Sequence, residues 1–410
     1  MLKIGRISCI IEKGSRKQED FLKKMIFGKK NIDKEKVGDF FDRLIKVKGN
    51  IVIGFKKIDA QMQYRGGGLG EKSLCVSSDF VQDYMGNYEK IITSPLLKFL
   101  GESIFYHELL HVIQDNEKIT GLNVIQPSAR ATIAFLQELE AHRFSENVCP
   151  YSKLGERLGD PKTLLRNYEK QFQVRAKEPG YKLPRDPDEV YAEYARRLNI
   201  PMEEIKEIEA GFSRQYPDYK VQTEGNTTVY QGADRKICVT KTQAGTVVEA
   251  TYTPDIKNAM GAGNDYFPLA ERRVFDANGI LKQTDVLLNT GERWILNYQS
   301  DFELVSTIYV TDSEMVRELV CDNPEEVLVE TWNDNGYTLA TKKRVEEKGG
   351  NDKVSKGQPN SELKICLYGG RKHVARYDET GKIIPPPRPE VGKHFMSAQS
   401  DNGGPGPNTR

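Results

Sequence analysis

The sequence predicts an α+β protein, and three observations carry that expectation. The opening residues alternate strand-like and helix-like patterns. Two long helical stretches follow, one started by Ser94-Pro95 and running through Ile113, the other spanning 128–148. From about Thr223 to Val345, short runs rich in Val, Ile, Thr and Tyr alternate with turn residues, as in an antiparallel sheet. The predicted organisation is an α+β domain over 1–150, a charged helical segment over 151–222, a mainly antiparallel β module over 223–382 and a disordered Pro/Gly-rich tail over 383–410.

A chain of 410 residues is too long for a single core. Its net charge of +1 calls for neither nucleic acid nor a membrane surface, and the Lys/Arg excess near the N-terminus reads as a solvated face. No apolar run approaches the roughly 20 residues that a membrane span needs. The 2–11 start is followed at once by charges, so no cleaved leader is expected. The expected location is the cytoplasm, or outside the cell by a route that needs no cleaved signal peptide. Six cysteines, Cys9, Cys75, Cys149, Cys238, Cys321 and Cys366, form no C-x-x-C pair and read as reduced thiols.

Taken in order, 2–11 is strand-like, 21–27 and 37–45 have helical spacing, and 47–58 alternates as a half-buried strand does. Gly66-Gly67-Gly68-Leu69-Gly70-Glu71-Lys72-Ser73 has the look of a phosphate-binding loop. However, Glu71 separates the Gly from the Lys and would set a carboxylate among phosphates. The better reading is a hairpin loop between strands at 61–65 and 73–77.

The next helix carries Phe105-Tyr106-His107-Glu108-Leu109-Leu110-His111, an H-E-x-x-H pattern. The chain has only 5 His, so chance supplies on the order of 0.005 such matches, and this one uses two of the five. Four residues apart on a helix, His107 and His111 share a face, with Glu108 beside them. This is the pattern of a zinc site with a general base: two imidazole ligands, a third protein ligand, and a fourth position for water. The third ligand is sought on 128–148, where Glu138, Glu140 and His142 are candidates. Asp115 lies too near His111 on the same helix to close a tetrahedron. A stripe of Ala131, Ala134, Glu138, Ala141 and Ser145 would let that second helix approach closely.

Glu138-Leu139-Glu140-Ala141-His142-Arg143-Phe144-Ser145, following the H-E-x-x-H helix, resembles the second motif of gluzincin-type zincins. It looks like the E-x-x-A-x-x-F-A of ImmA/IrrE-type peptidases and of zincin-like metallopeptidase domains in bacterial toxins. Ser145 stands where those have Ala, and the helical stretch after Pro150 is longer than theirs. The resemblance covers about residues 40–150. It implies a zincin-like metallopeptidase domain holding Zn2+ on His107, His111 and Glu138, with Glu108 catalytic. It also implies a substrate-pairing edge strand upstream of the motif helix, for which Leu74, Cys75 and Val76 are candidates. The expected activity is zinc-dependent hydrolysis of peptide bonds in a protein or peptide substrate, by a toxin or effector or by a regulatory protease. The alternative is a metal-stabilised, catalytically silent protein whose β module does the binding. For the oxyanion-stabilising group, Tyr106, Arg130, His142 and Tyr151 are near in sequence and none is singled out.

Residues 190–198, Asn199-Ile200-Pro201 and 203–210 have the outline of a helix-turn-helix. The second helix is acidic, which phosphates would repel, so no nucleic acid is expected. Within the β module, strands are expected at 246–252, 286–288, 294–298, 305–310 and 327–332. Three aromatic-then-turn segments, ending in Gly279, Gly336 and Gly381, mark hairpin tips. His373 and His394, in or near the tail, are not expected to be ligands.

Overall fold

The computed structural model describes residues 2–4, 7–11, 18, 20–21, 43, 50–56, 62–65, 73–86, 95–117, 123–148, 161–178, 182–253, 268–300, 304–323, 326–343, 353–354, 358–367 and 371–391. Most of the expected helices at 21–27 and 37–45, the 66–72 loop, Ser94, Tyr151 and His394 lie outside these residues. The chain divides into two compact units, Met1–Asp218 and Tyr219–Arg410, and is α+β as expected. None of the described helices is long and apolar enough to cross a membrane.

The first unit holds a five-stranded mixed sheet. A hairpin of β1 (Leu2–Ile4) and β2 (Ile7–Ile11) leads to β3 (Asn50–Lys56), which runs parallel to β2. Strands β4 (Met62–Arg65) and β5 (Ser73–Ser77) form the expected antiparallel hairpin, and β5 also lies parallel to β3, giving the order β1-β2-β3-β5-β4. This corrects one expectation. Leu74, Cys75 and Val76 are on an inner strand, and the edge belongs to β4. The physical reason is in β5 itself: Leu74, Cys75, Val76 and Ser77 are buried in succession, as on a strand covered on both faces, instead of alternating.

Ser77 caps α1 (Ser78–Gly86) by accepting a hydrogen bond from the Phe80 N–H. Helix α2 (Pro95–Asn116) begins at the predicted proline and lies against β4. Helix α3 (Pro127–Val148) packs along α2. Apolar side chains ring both helices, which is why both are interior. Phe105, Leu109, Leu110, Val112 and Ile113 are buried on α2, as are Ile133, Phe135, Leu136 and Leu139 on α3. The first turn of α3 is closed from far along the chain. Asp218 accepts from the Ser128 N–H (3.1 Å) and hydroxyl (2.9 Å), placing a carboxylate where the helix dipole favours one.

Three further helices, α4 (Pro161–Lys177), α5 (Pro187–Leu198) and α6 (Met202–Ser213), pack on α3. Leu164 and Phe172 of α4, Val190 and Tyr194 of α5, and Ile205 and Phe212 of α6 join the α3 side chains in one core. The described helices of the charged segment expected over 151–222 are therefore part of the first unit, which ends at Asp218, and Lys220–Glu224 is already a strand of the second. Helix α5 is well bounded. Asp186 caps it and Pro187 opens it, while Asn199 ends it in the left-handed region at φ 52°.

The second unit is an antiparallel meander of twelve strands in strict chain order. These are β6 (Lys220–Glu224), β7 (Thr227–Gln231), β8 (Arg235–Thr242), β9 (Gly245–Tyr252), β10 (Pro268–Asp276), β11 (Leu281–Leu288), β12 (Arg293–Tyr298), β13 (Leu304–Val310), β14 (Glu314–Val320), β15 (Glu326–Asn333), β16 (Gly336–Lys343) and β17 (Lys353–Val354). The predicted tips are present, with Gly279 and Gly336 at φ 74° and 106°. A three-stranded sheet of β18 (Glu362–Leu367), β19 (Arg371–Tyr377) and β20 (Ile383–Ile384) packs Leu367, Ala375 and Tyr377 against Leu319, Leu328 and Leu339. Strand order thus continues past residue 382, into what was expected to be a disordered tail.

Candidate metal centre

The helical pattern of α2 places His107 and His111 one turn apart, and the small-residue face of α3 brings Glu138 up to them. The two imidazole Nε2 atoms are 3.1 Å apart. Glu138 Oε2 is 3.3 Å from His107 Nε2, and Glu138 Oε1 is 3.4 Å from His111 Nε2. These three groups can hold a metal ion, with ligand atoms that all lie within 4.8 Å of one another. A tetrahedral ion with bonds of about 2.0–2.1 Å sets its ligands about 3.3 Å apart, so the triangle matches one face of such a shell. Two further observations support the fit. Glu138 Oε2 is buried and accepts no hydrogen bond. Two imidazole nitrogens at 3.1 Å also need a proton or an ion to offset the repulsion of their lone pairs.

Electrostatics agree with that shortage of positive charge. Burial alone would push His111 down, but the Glu138 carboxylate, with help from Glu108, lifts it to about 9. For Glu138, burial would raise the pKa, and His111 and His107 instead hold it well below the usual carboxylate range. The pocket therefore holds a carboxylate that demands a cation beside it, and in the absence of a metal a proton on His111 answers that demand.

Each other candidate is accounted for. Glu140 turns away from the triangle: its oxygens accept from the Gln114 amide at 2.7 Å and from Arg43 Nη1 at 2.9 Å. Asp115 lies 3.8 Å from Lys182 Nζ. His142 comes close without joining, its ring centroid 4.5 Å from that of His107 and its Nε2 3.1 Å from the Tyr168 hydroxyl. Burial and the neighbouring His107 hold His142 down to about 3, so it is neutral. Of the remaining candidates for an oxyanion donor, Tyr106 is buried against Phe105 and Phe144, and Arg130 is buried. In the second unit, His373 lies 3.8 Å from Glu330 and belongs to the packing of that unit.

Three functional side chains were missed from sequence. Tyr168 and Gln171 reach the centre from α4, where Gln171 donates to Glu138 Oε1 at 2.7 Å. Burial raises the Tyr168 pKa, and the charges of Glu138 and Glu108 add to it, so the hydroxyl stays protonated. Gln114, three residues after His111, lies 2.8 Å from its Nδ1. A spacing of one helical turn from a ligand was the available signal for Gln114, whereas Tyr168 and Gln171 carry no local signal. Glu108 is partly exposed, and its charge is felt at both His111 and Tyr168.

No protein-family model matches this chain, and no curated protein matches it either.

Proposed function

We propose that the protein is a zinc-dependent metalloendopeptidase of zincin type that hydrolyses peptide bonds of a protein target, as a toxin or effector does. The observation that carries this reading is the His107, His111 and Glu138 triangle, with Glu108 on the same helix. His107, His111 and Glu138 are the residues that would hold the ion. Zinc, when bound there, would supply a Lewis acid and a water acidified to a pKa of about 7.

The remaining work falls to the chain. Glu108 takes the proton from the attacking water as its oxygen bonds to the scissile carbonyl carbon. As the C–N bond breaks, the same carboxyl passes that proton to the departing amine nitrogen. Tyr168, whose hydroxyl stays protonated and lies against His142, is the donor for the oxygen that gains negative charge. Its partner His142, neutral and on the same α3 face as Glu138, positions it. Extended substrate would add to the sheet along β4, the edge strand that α2 lies against.

The reading of a closed, silent metal site would need His142 as a fourth ligand, and among the described residues the ligand atoms that converge are those of His107, His111 and Glu138. The direct test is Glu108→Gln. We expect zinc to be retained and cleavage to fall by about 10²–10⁴-fold. Comparing the new protein termini produced by the active protein and by this variant in target cells would identify the substrate. Unchanged cleavage by a zinc-loaded Glu108→Gln protein would refute the peptidase reading.

A further inference from the structure

We infer that Gln114 is a positioning residue that sets the ion affinity of the His107, His111 and Glu138 group, acting as the last link of a buried charge cluster of Arg43, Glu117, Glu140 and Arg197. The inference rests on reading that group as a metal centre and is independent of the peptidase reading.

The argument starts from the amide. Gln114 is only 1% exposed, and its nitrogen donates to Glu140 Oε2 at 2.7 Å and to the Gln137 carbonyl at 3.0 Å. Both of those partners are acceptors, so the amide has one orientation: nitrogen toward Glu140, oxygen toward His111. An amide oxygen 2.8 Å from His111 Nδ1 can only accept, so Nδ1 must carry the hydrogen. In the neutral imidazole that leaves the lone pair on Nε2, the atom aimed at Glu138 and His107. The tautomer a metal ion needs is therefore dictated two side chains away.

Glu140 is fixed in turn. Its Oε1 accepts from Arg43 Nη1 at 2.9 Å and lies 3.5 Å from Arg197 Nη1. Both arginines also reach Glu117, Arg43 through Nε at 2.7 Å and Arg197 through Nη1 at 2.8 Å, while Glu193 holds Arg197 Nε at 2.7 Å. The cluster ties together Arg43 from ahead of β3, α2, α3 and α5. A disturbance at Arg43 or α5 would thus reach the ligand geometry through one carboxylate and one amide. With an amide in place of the Glu140 carboxylate, only the Gln137 carbonyl would hold the Gln114 nitrogen away from Nδ1. A weaker hold lets that nitrogen turn toward Nδ1, which would put the hydrogen on Nε2 and oppose ligation.

The test uses the full-length chain stripped of metal and titrated with zinc and with cobalt(II), affinity being read by competition with a chelator. Gln114→Leu should weaken binding of both ions 10–100-fold, and Glu140→Gln should weaken it in the same direction. A control in the same core and outside the charge cluster, Ile205→Val, should lower unfolding stability and bind both ions within about threefold of wild type. A packing role for Gln114 alone would make affinity follow unfolding stability in both proteins. A folded Gln114→Leu protein with wild-type affinity, or an Ile205→Val protein that loses as much affinity as Gln114→Leu, overturns this inference alone. A wild-type chain that takes up neither ion overturns the metal-centre reading and this inference with it.

Discussion

Both units bury charged groups, and they do so in opposite ways. In the β unit each buried carboxylate has its answer on its own or a neighbouring strand. Glu271 accepts from Arg273 Nε at 2.6 Å and from the Tyr252 hydroxyl at 3.0 Å. Asp285 accepts from Arg293 at 2.8 Å, and Glu330 from Arg317 and from the Tyr337 hydroxyl at 2.8 Å. In the helical unit Glu117 and Glu140 are satisfied likewise by Arg43 and Arg197, yet Glu138 is not. Its oxygens meet the Gln171 amide and two imidazoles, His111 Nε2 at 3.4 Å and His107 Nε2 at 3.3 Å, with no guanidinium or ammonium among them. Buried charge by itself therefore does not mark a candidate site; acceptors converging with only titratable imidazoles to offset them do.

The comparison can be broken most forcefully in the β unit. Glu271→Ala leaves Arg273 buried with no carboxylate and should cost about 3–5 kcal/mol of unfolding free energy. Replacing both partners with apolar side chains, Glu271→Leu with Arg273→Met, should recover most of it. Urea unfolding of the three proteins, with zinc affinity measured alongside and expected constant, checks this. A Glu271→Ala protein as stable as wild type would mean that the pairs are decorative.

A second test separates the units by pH. His111 is held at about 9 by Glu138 when no metal is present, so below that pH a metal ion must displace a proton. Apparent zinc affinity should climb about fiftyfold between pH 7 and pH 9 and flatten above about pH 10. The metal-free chain should show the complementary trend. His111 is raised above its unfolded value, so its contribution to stability is complete below about pH 6.5 and is lost as pH rises through 9. His142, held at about 3, stays neutral in the folded state while its unfolded imidazole titrates near 6.5, so it adds a smaller, opposite slope below about pH 7. Unfolding of the metal-free chain at pH 6, 7.5 and 9.5 reads the effect, and a stability that rises over that range would contradict the assignment.

The smallest effect sharpens the link between α5 and the centre. Asp186→Ala removes the cap of α5, where the Asp188 N–H is satisfied, and should cost about 1 kcal/mol. Zinc affinity should stay put, because Arg197 lies near the other end of the helix. A matching loss of affinity would show that α5 acts on the centre as a whole body and not through Arg197.

Much of the centre was legible because its parts are local. A four-residue spacing fixes His107 against His111 on any helix, and a face of small residues announced that Glu138 could come near. Gly279, Gly336 and Gly381 likewise exposed the hairpin tips, since a left-handed backbone is a property of single positions. What stayed hidden depends on distant partners. The run Leu74-Cys75-Val76 suits a strand covered on both faces, but which strand lies beside it, and so that β5 is inside and β4 at the edge, is decided by the pairing of Ile53 with Leu74 across a parallel register. Tyr168 and Gln171 sit on a strongly charged helix and reach the centre only because α4 docks on α3. The choice among Glu138, Glu140 and His142 turned on Arg43, Gln114 and Tyr168, none of which belongs to the motif that names the ligands.

The meander of the second unit has a mechanical consequence. Among the described residues, each strand from β7 to β16 pairs within the sheet only with its predecessor and its successor. A pull on either end of that sheet therefore loads one hairpin at a time, and the sheet peels open strand by strand instead of shearing as a block. The same neighbour-only pairing keeps contacts short in sequence, so the sheet can re-form from any hairpin outward. The first unit has no such freedom: β3 joins β2 and β5 in parallel, each pairing closes a long crossover, and its strands must be assembled together.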